Sequence, residues 1–346
     1  MSRPRTALAS GLVVLTTVAL TAALAGATAP ARNGRIAFIR LHPGHDDRWS
    51  EIFVANADGT GETRITHPPV GYRDDLPDWS PGGSRVVFQR CAPNGGTCLV
   101  WSVKPDGSGL KRLSPPCRSG RVPPACVADT SPVYSPDGRH LAFVRSTGTL
   151  IAAGVTSPAL MVADSHLQHA RAVVRFRPFR AGPYMVAWSP SAGQLAFAGV
   201  NESPQAKPLG GRALYVVGVD GTGLRRVTPW SLQAGDRLDW SPDGSRILFR
   251  TDSDRKGAFG ANLYTVLPDG TDLRQLTHVR PSYRVLPGSY SPDGTSIVFS
   301  TTDGATNATL GLPDLFVMRV DGTGIRPVTR SDTWDSSPDW GPRERP

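Results

Sequence analysis

After residue 30 the sequence lacks any uncharged apolar stretch long enough to cross a bilayer, so no later segment reads as a membrane span. Cysteine is scarce, at four residues, and none follows the N-terminal apolar run, which excludes a lipid-modified cysteine at that point. Twin Cys-x-x-Cys pairs are absent, and with them the zinc-ribbon reading. Neither a Gly-x-Ser-x-Gly elbow nor a His-Glu-x-x-His pair is present, so α/β-hydrolase and zincin chemistry have no carrier. Charged residues are only 19% against 39% hydrophobic, a balance that suits a packed chain and excludes a disordered one.

What the chain has in excess is turn formers, with 37 Gly and 32 Pro in 346 residues. That composition favours many short strands over long helices. The N-terminus is a separate object. Arg3 and Arg5 precede the uncharged run Leu8 to Ala25, and Ala25-Gly26-Ala27 and Ala27-Thr28-Ala29 carry the small-residue spacing of a cleavage site. Residues 1–29 therefore read as a cleaved signal peptide. The competing reading is a retained anchor, because the run sits at the lower limit of a span.

An exported chain carries its four cysteines as disulfides. Local pairing, Cys91 with Cys98 and Cys117 with Cys126, needs the least reach. The formal charge of +9 points to anionic partners such as envelope polymers, and export excludes nucleic acid. A charge serving only solubility explains the excess equally well.

The fold follows from an internal repeat. An aromatic before Ser-Pro recurs at Trp79, Tyr134, Trp188, Trp240 and Tyr290, and Trp340-Gly341-Pro342 makes a sixth copy. The steps are 55, 54, 52, 50 and 50 residues. Three copies continue into Asp-Gly, a strong hairpin signal. Nine residues after each of the first five aromatics stands a Phe closing an apolar triplet: Phe88, Phe143, Phe197, Phe249 and Phe299. A sixth triplet, Ile36-Ala37-Phe38, has no aromatic before it, and Trp340 has no unit after it. The two ends complete one another.

A second motif, strand, Asp-Gly turn and strand, fills out each unit, as in Tyr215 to Thr228, YVVGVDGTGLRRVT. The third unit is degenerate at Ala163-Asp164-Ser165-His166. Each unit thus supplies four antiparallel strands, A to D. The expectation is an all-β, six-bladed propeller over residues 33–342, closed by pairing of the C-terminal strand with the N-terminal blade. A two-sheet sandwich is the alternative, and the regular period argues against it.

The Trp-Ser-Pro-Asp-Gly and Asp-Gly-Thr-Gly motifs resemble the WD-like repeats of the TolB propeller family across residues 33–342. The chain departs from that pattern at Ser191-Ala192-Gly193 and in the third unit's turn, and it leaves no room for the family's separate N-terminal domain. The resemblance implies an exported, non-catalytic interaction propeller of the envelope, periplasm or extracellular space, acting as a monomer on a protein or peptide.

In such a meander the A–B and C–D turns share one face and are short, while the B–C and D–A connections on the other face vary in length. Both cysteine pairs belong to that variable face, where recognition usually sits. Five residues before the aromatic, Asp74, Asp129 and Asp335 occupy the entry to strand A in three adjacent units. They are expected at one mouth of the central channel as a half-ring for a shared cation, Ca²⁺ or a basic group of a partner. Turn capping by each Asp is the alternative. No other cofactor is expected.

Arg175, Arg177 and Arg180, interleaved with Phe176, Phe179 and Tyr184, form a weaker basic–aromatic candidate for anionic sugars or a protein. His42 and His45 with Asp46 and Asp47 make a weak surface metal candidate. The Ser-x-Asp-x-Gly-x-x-Trp box of sialidase propellers is absent. The rival function is a metal-assisted carbohydrate lyase or lactone hydrolase working in the channel, and no convergent three-ligand set supports it.

Overall fold

The computed structural model describes residues 32–42, 49–93, 96–115, 127–147, 158–175, 183–201, 211–251, 261–280 and 283–344. The signal-peptide region, Cys117, Cys126, Arg177, Arg180 and the His45-Asp46-Asp47 cluster lie outside these residues.

The described chain is all-β apart from two three-residue 3-10 turns. Four sheets are four-stranded meanders. One is Tyr184–Trp188, Gln194–Asn201, Gly211–Gly218 and Arg225–Arg226, hydrogen-bonded in chain order. The fifth sheet has eight strands and is mixed. It holds Trp334–Pro342, Asn33–His42, Trp49–Ala55 and Thr63–Arg64 as one antiparallel set, and Arg73–Trp79, Val86–Cys91, Cys98–Val103 and Lys111–Arg112 as another. A single parallel bridge, Ser50 with Arg73, joins the two sets.

The expected pairing of the chain ends is present: Trp340 stands opposite Ile36, and Asp339 opposite Ala37.

Alternation explains the packing. The triplet of each strand B sits in the middle of its sheet, and the closing phenylalanines Phe38, Phe88, Phe143, Phe197, Phe249 and Phe299 are all buried. Each such side chain gains roughly 1.5–3 kcal/mol from leaving water. The cores lie between consecutive units. Ile52, Val54 and Ile65 of the first set meet Trp79, Val86 and Phe88 of the next. The first and last units also share one, with Ile36 and Phe38 against Val298, Leu315 and Trp340.

The turns are set by aspartate. In the C–D turns Asp58, Asp106, Asp220, Asp269 and Asp321 each accept the N–H two residues on, at 2.8–3.0 Å. The Thr60 and Thr323 hydroxyls, donating to Asp58 and Asp321 at 2.7 Å, and next these N–H bonds, hold the two carboxyls below their ordinary range. The degenerate third turn keeps the same device, since Asp164 accepts the N–H of His166 and of Gln168, each at 2.9 Å. Spatially, each turn rests on its neighbour. A Cβ at Gly322, whose φ is +86°, would lie 2.5 Å from the Leu276 carbonyl oxygen of the preceding unit. Only glycine fits there.

Candidate functional site: the channel and its two faces

Strand A of each unit carries a β-bulge just before its aromatic. Leu76, Ser131, Met185 and Ser337, three residues upstream of Trp79, Tyr134, Trp188 and Trp340, all have φ near +50°. The register shift falls at the same place, between Asp75 and Asp78 in one unit and between Thr130 and Val133 in another. A bulge re-aims the side chains around it. Here it turns the residue before the aromatic toward the neighbouring unit.

That position holds Asp78, Asp239 and Asp339. Asp78 accepts the Tyr134 N–H at 2.8 Å, Asp239 the Tyr290 N–H at 2.7 Å, and Asp339 the Trp79 N–H at 2.8 Å. Ser289 does the same for Trp340 with its hydroxyl oxygen at 2.7 Å. All three carboxylates line a cavity of about 150 Å³ between the innermost strands, together with Arg237, Leu76 and Met185. Arg237 lies 3.1 Å from Asp339 and donates to the Pro77 and Ser337 carbonyls at 2.7 and 3.2 Å.

One cation among three buried acids leaves their charges undercompensated. Burial, with the Asp339 charge next, pushes Asp239 up to about 7. The same two causes raise Asp78 well above the carboxylate range, and burial raises Asp339 against the pull of Arg237. The sequence reading missed this cluster. Its signal was the Asp-Trp dipeptide at 78–79, 239–240 and 339–340.

The half-ring expected from the sequence is built differently. Asp74, Asp129 and Asp335 are fully buried, and each meets an arginine directly opposite on strand B instead of a common ligand. Arg90 donates to Asp74 at 2.5 and 2.7 Å, Arg145 to Asp129 at 2.7 and 2.9 Å, and Arg40 to Asp335 at 2.7 and 2.9 Å. The Ser114 hydroxyl adds a third bond to Asp129 at 2.8 Å. Each guanidinium also covers aromatic rings, Arg40 lying 4.6 Å from Phe53 and Arg90 5.0 Å from Trp101.

The counter-ion is therefore supplied by the chain. The reason is register, since strand pairing places the arginine across from the acid. Where Gly235 replaces the Asp, the carboxylate moves one residue on, and Asp236 pairs with Arg250 at 3.0 Å. Among the described residues no three Asp, Glu, His or Cys side chains come together to share one metal ion.

Of the basic–aromatic candidate, Arg175 ends the strand Arg171–Arg175 and is exposed. His42 stacks on Trp49 at 4.1 Å and sits 3.4 Å from Glu51.

The two faces differ. On the short-turn face a funnel of about 1800 Å³ is lined by the repeated prolines Pro81, Pro136, Pro190, Pro242, Pro292 and Pro342. On the loop face the Cys91–Cys98 disulfide closes one B–C connection, as expected. The two most exposed large aliphatics among the described residues are also there: Val70, 81% exposed on a D–A connection, and Leu310, 71% exposed on a B–C connection.

No family model matches the chain. The Tol-Pal system protein TolB of Anaeromyxobacter dehalogenans (strain 2CP-C) is 35% identical over 101 residues, 29% of this chain and 20% of that protein. The chain thus spans about a fifth of the curated relatives it matches. TolB from Acinetobacter baumannii superposes with a TM-score of 0.65 at 16% identity, covering 90% of this chain and 67% of that one. An oligogalacturonate lyase from Vibrio parahaemolyticus gives 0.51 at 13% identity, over 82% and 72%. The fold is a TolB-like β-propeller. No helix of the described residues is long and apolar enough to cross a membrane.

Proposed function

We propose that the chain is an exported, non-catalytic binding platform of the cell envelope, which presents its loop face to a protein partner. In this reading the propeller has six blades. The eight-stranded sheet is two of them, held together by the Ser50–Arg73 bridge, and the strand Trp334–Pro342 closes the ring as strand A of the blade begun by Asn33–His42. Residues 1–29 direct export and are removed.

The observation that carries the reading is the exposure of two aliphatics on the loop face, the most exposed among the described residues. Val70 and Leu310 stand almost fully in water on loops of a scaffold whose strand ends are locked by buried Asp–Arg pairs. Exposed aliphatics on rigid supports are what a protein interface needs. Similarity to proteins named as parts of the Tol–Pal system supports an envelope role.

Cross-linking pull-down from the envelope fraction tests this. The wild-type chain should capture a protein that the Val70→Asp/Leu310→Asp variant, with an unchanged melting temperature, fails to capture. Equal capture by both sinks the proposal.

A further inference from the structure

The four latches between strands A do not run through every unit. They tie Trp79 to the unit of Asp339, Tyr134 to that of Asp78, Tyr290 to that of Asp239 and Trp340 to that of Ser289. The unit that holds Trp188 has no such latch on either side. The residue before the aromatic is Val133 in the preceding unit and Ala187 in this one, and neither side chain can accept a hydrogen bond. The Trp240 N–H, which an acceptor at Ala187 would have held, turns to Asp239 of its own strand at 2.9 Å.

Other fixings are missing from the same strand. At five residues, Tyr184–Trp188 is the shortest of the six strands that bear the repeated aromatic. Pro183 and Gly199 stand where another unit has the buried pair Asp74 and Arg90. What crosses its flanks is mostly apolar: Val186 packs with Val133, and Ala187 with Leu238 and Trp240. The Ser131 hydroxyl reaches the Met185 sulfur only at 3.9 Å. Apolar contacts have no preferred direction and let packed elements slide, whereas a hydrogen bond fixes a position.

The rest of the unit is held. Arg171 donates to the Val219 carbonyl at 2.9 Å, and Arg225 to the Pro268 carbonyl. Gly221 and Gly270 rest on the Val173 and Val227 carbonyls, and the Tyr184 hydroxyl lies against Gly235. The unit is thus tied at its rim and at the Tyr184 end, and free to shear at the Trp188 end.

The free end borders the channel acids. Met185 to Trp188 form one wall of the cavity of about 150 Å³ that holds Asp78, Asp239 and Asp339, with Arg237 its one lining cation among the described residues. Three carboxylates against one guanidinium leave two negative charges uncompensated in a confined space. Asp75, bonded by the Ser337 hydroxyl at 3.1 Å and flanked by Arg237 and Arg73, adds a fourth acid close by. Burial keeps the phenols of Tyr134 and Tyr290, which face Asp78 and Asp239, neutral. Outside the cavity, His140 lies 6.4 Å from the Trp188 ring, and Arg212, Asp236 and Arg250 surround Tyr184. The strand Tyr184–Trp188 itself carries no charge to offset the acids.

We propose that strand Tyr184–Trp188 is a proton-responsive wall of the channel, which shears outward at its Trp188 end as Asp78, Asp239 and Asp339 ionise and so widens the cavity to hydrate them. The acids titrate in a useful range, since burial and mutual repulsion bring Asp239 up to about 7. The inference does not involve the loop-face partner, so the two stand or fall separately.

Hydrogen exchange on the full chain at about pH 5.5 and pH 8, scaled to unstructured peptides of the same sequence, tests it. Protection of the 186–188 amides should fall about tenfold relative to that of the amides at 78–79 and 339–340. Global unfolding exposes both sets alike, so the ratio reads the local shift. Asp239→Asn, which keeps an acceptor for the Tyr290 N–H, should remove most of the response, and His140→Gln should retain it. Val133→Ser/Ala187→Ser offers this strand the hydroxyl latch that Ser289 gives Trp340, and should abolish the response. A ratio constant with pH, a full response in Asp239→Asn or in the latched variant, or its loss in His140→Gln would each overturn the proposal.

Discussion

Asp239 accepts the main-chain N–H of Tyr290 at 2.7 Å, so the channel carboxylate of one unit holds the aromatic of the next. Asp78 and Tyr134, and Asp339 and Trp79, repeat the relationship. Because these acids also face one another in a small cavity, their protonation and the cohesion of neighbouring units are coupled.

The sign of that coupling follows from the direction of the shifts. Folding raises Asp239 to about 7, and raises Asp78 and Asp339 as well. The folded state then binds more protons than the unfolded chain, so this contribution is complete below about pH 4 and is lost as pH climbs through 7. The turn aspartates act oppositely, but their titration ends below about pH 5. The melting temperature should fall between pH 5 and pH 8, and Asp239→Asn should flatten the slope. A melting temperature that rises over that window would contradict the assignment.

Removing one partner of a buried ion pair strands the other. Arg90→Ala leaves Asp74 fully buried without its counter-ion, and should cost about 3–5 kcal/mol in urea denaturation. The double variant Asp74→Asn/Arg90→Met should recover much of the loss. If Arg90→Ala costs less than about 1 kcal/mol, the pair is not the lock described.

Trp340 is buried between the first and last units and donates its indole N–H to the Gly34 carbonyl at 3.2 Å. Trp340→Ala should cost about 3–5 kcal/mol. Deleting Thr333 onward exposes the edge of Asn33–His42 and should give insoluble protein. Soluble, cooperatively melting protein after that deletion would show that the end pairing is dispensable.

The Cys91–Cys98 bond closes a short loop, and in the chain-entropy model it contributes roughly 2–3 kcal/mol. Replacing both cysteines by Ser should lower stability by that amount. Non-reducing peptide mapping should recover the 91–98 link and a second one between Cys117 and Cys126. A cross-link between the pairs would refute the local pairing.

Much of this was readable before any coordinates. The six phenylalanines, the Asp-Gly turns and the complementary ends each left a mark in one fifty-residue period. The Asp–Arg locks were half visible. Arg90 and Arg145 each follow their aspartate by sixteen residues, a spacing that strand pairing turns into a contact. Arg40 and Asp335 are 295 residues apart, and only the meeting of the chain ends joins them. The channel acids were plain as Asp-Trp, yet strict alternation gives no hint of where they point. The bulge at Leu76 and Ser337 breaks the period of two, and a bulge is a matter of backbone geometry that those residue types do not announce.

The pairing of Trp334–Pro342 with Asn33–His42 also bears on the order of events in the cell. Strand Asn33–His42 is synthesised long before its partner, Trp334–Pro342. At roughly 5–20 residues per second it waits on the order of half a minute with one edge unpaired. Contacts this distant in sequence make a slow-folding topology. For a chain exported as proposed above the delay is useful, because these two strands cannot pair before Trp334–Pro342 has been released.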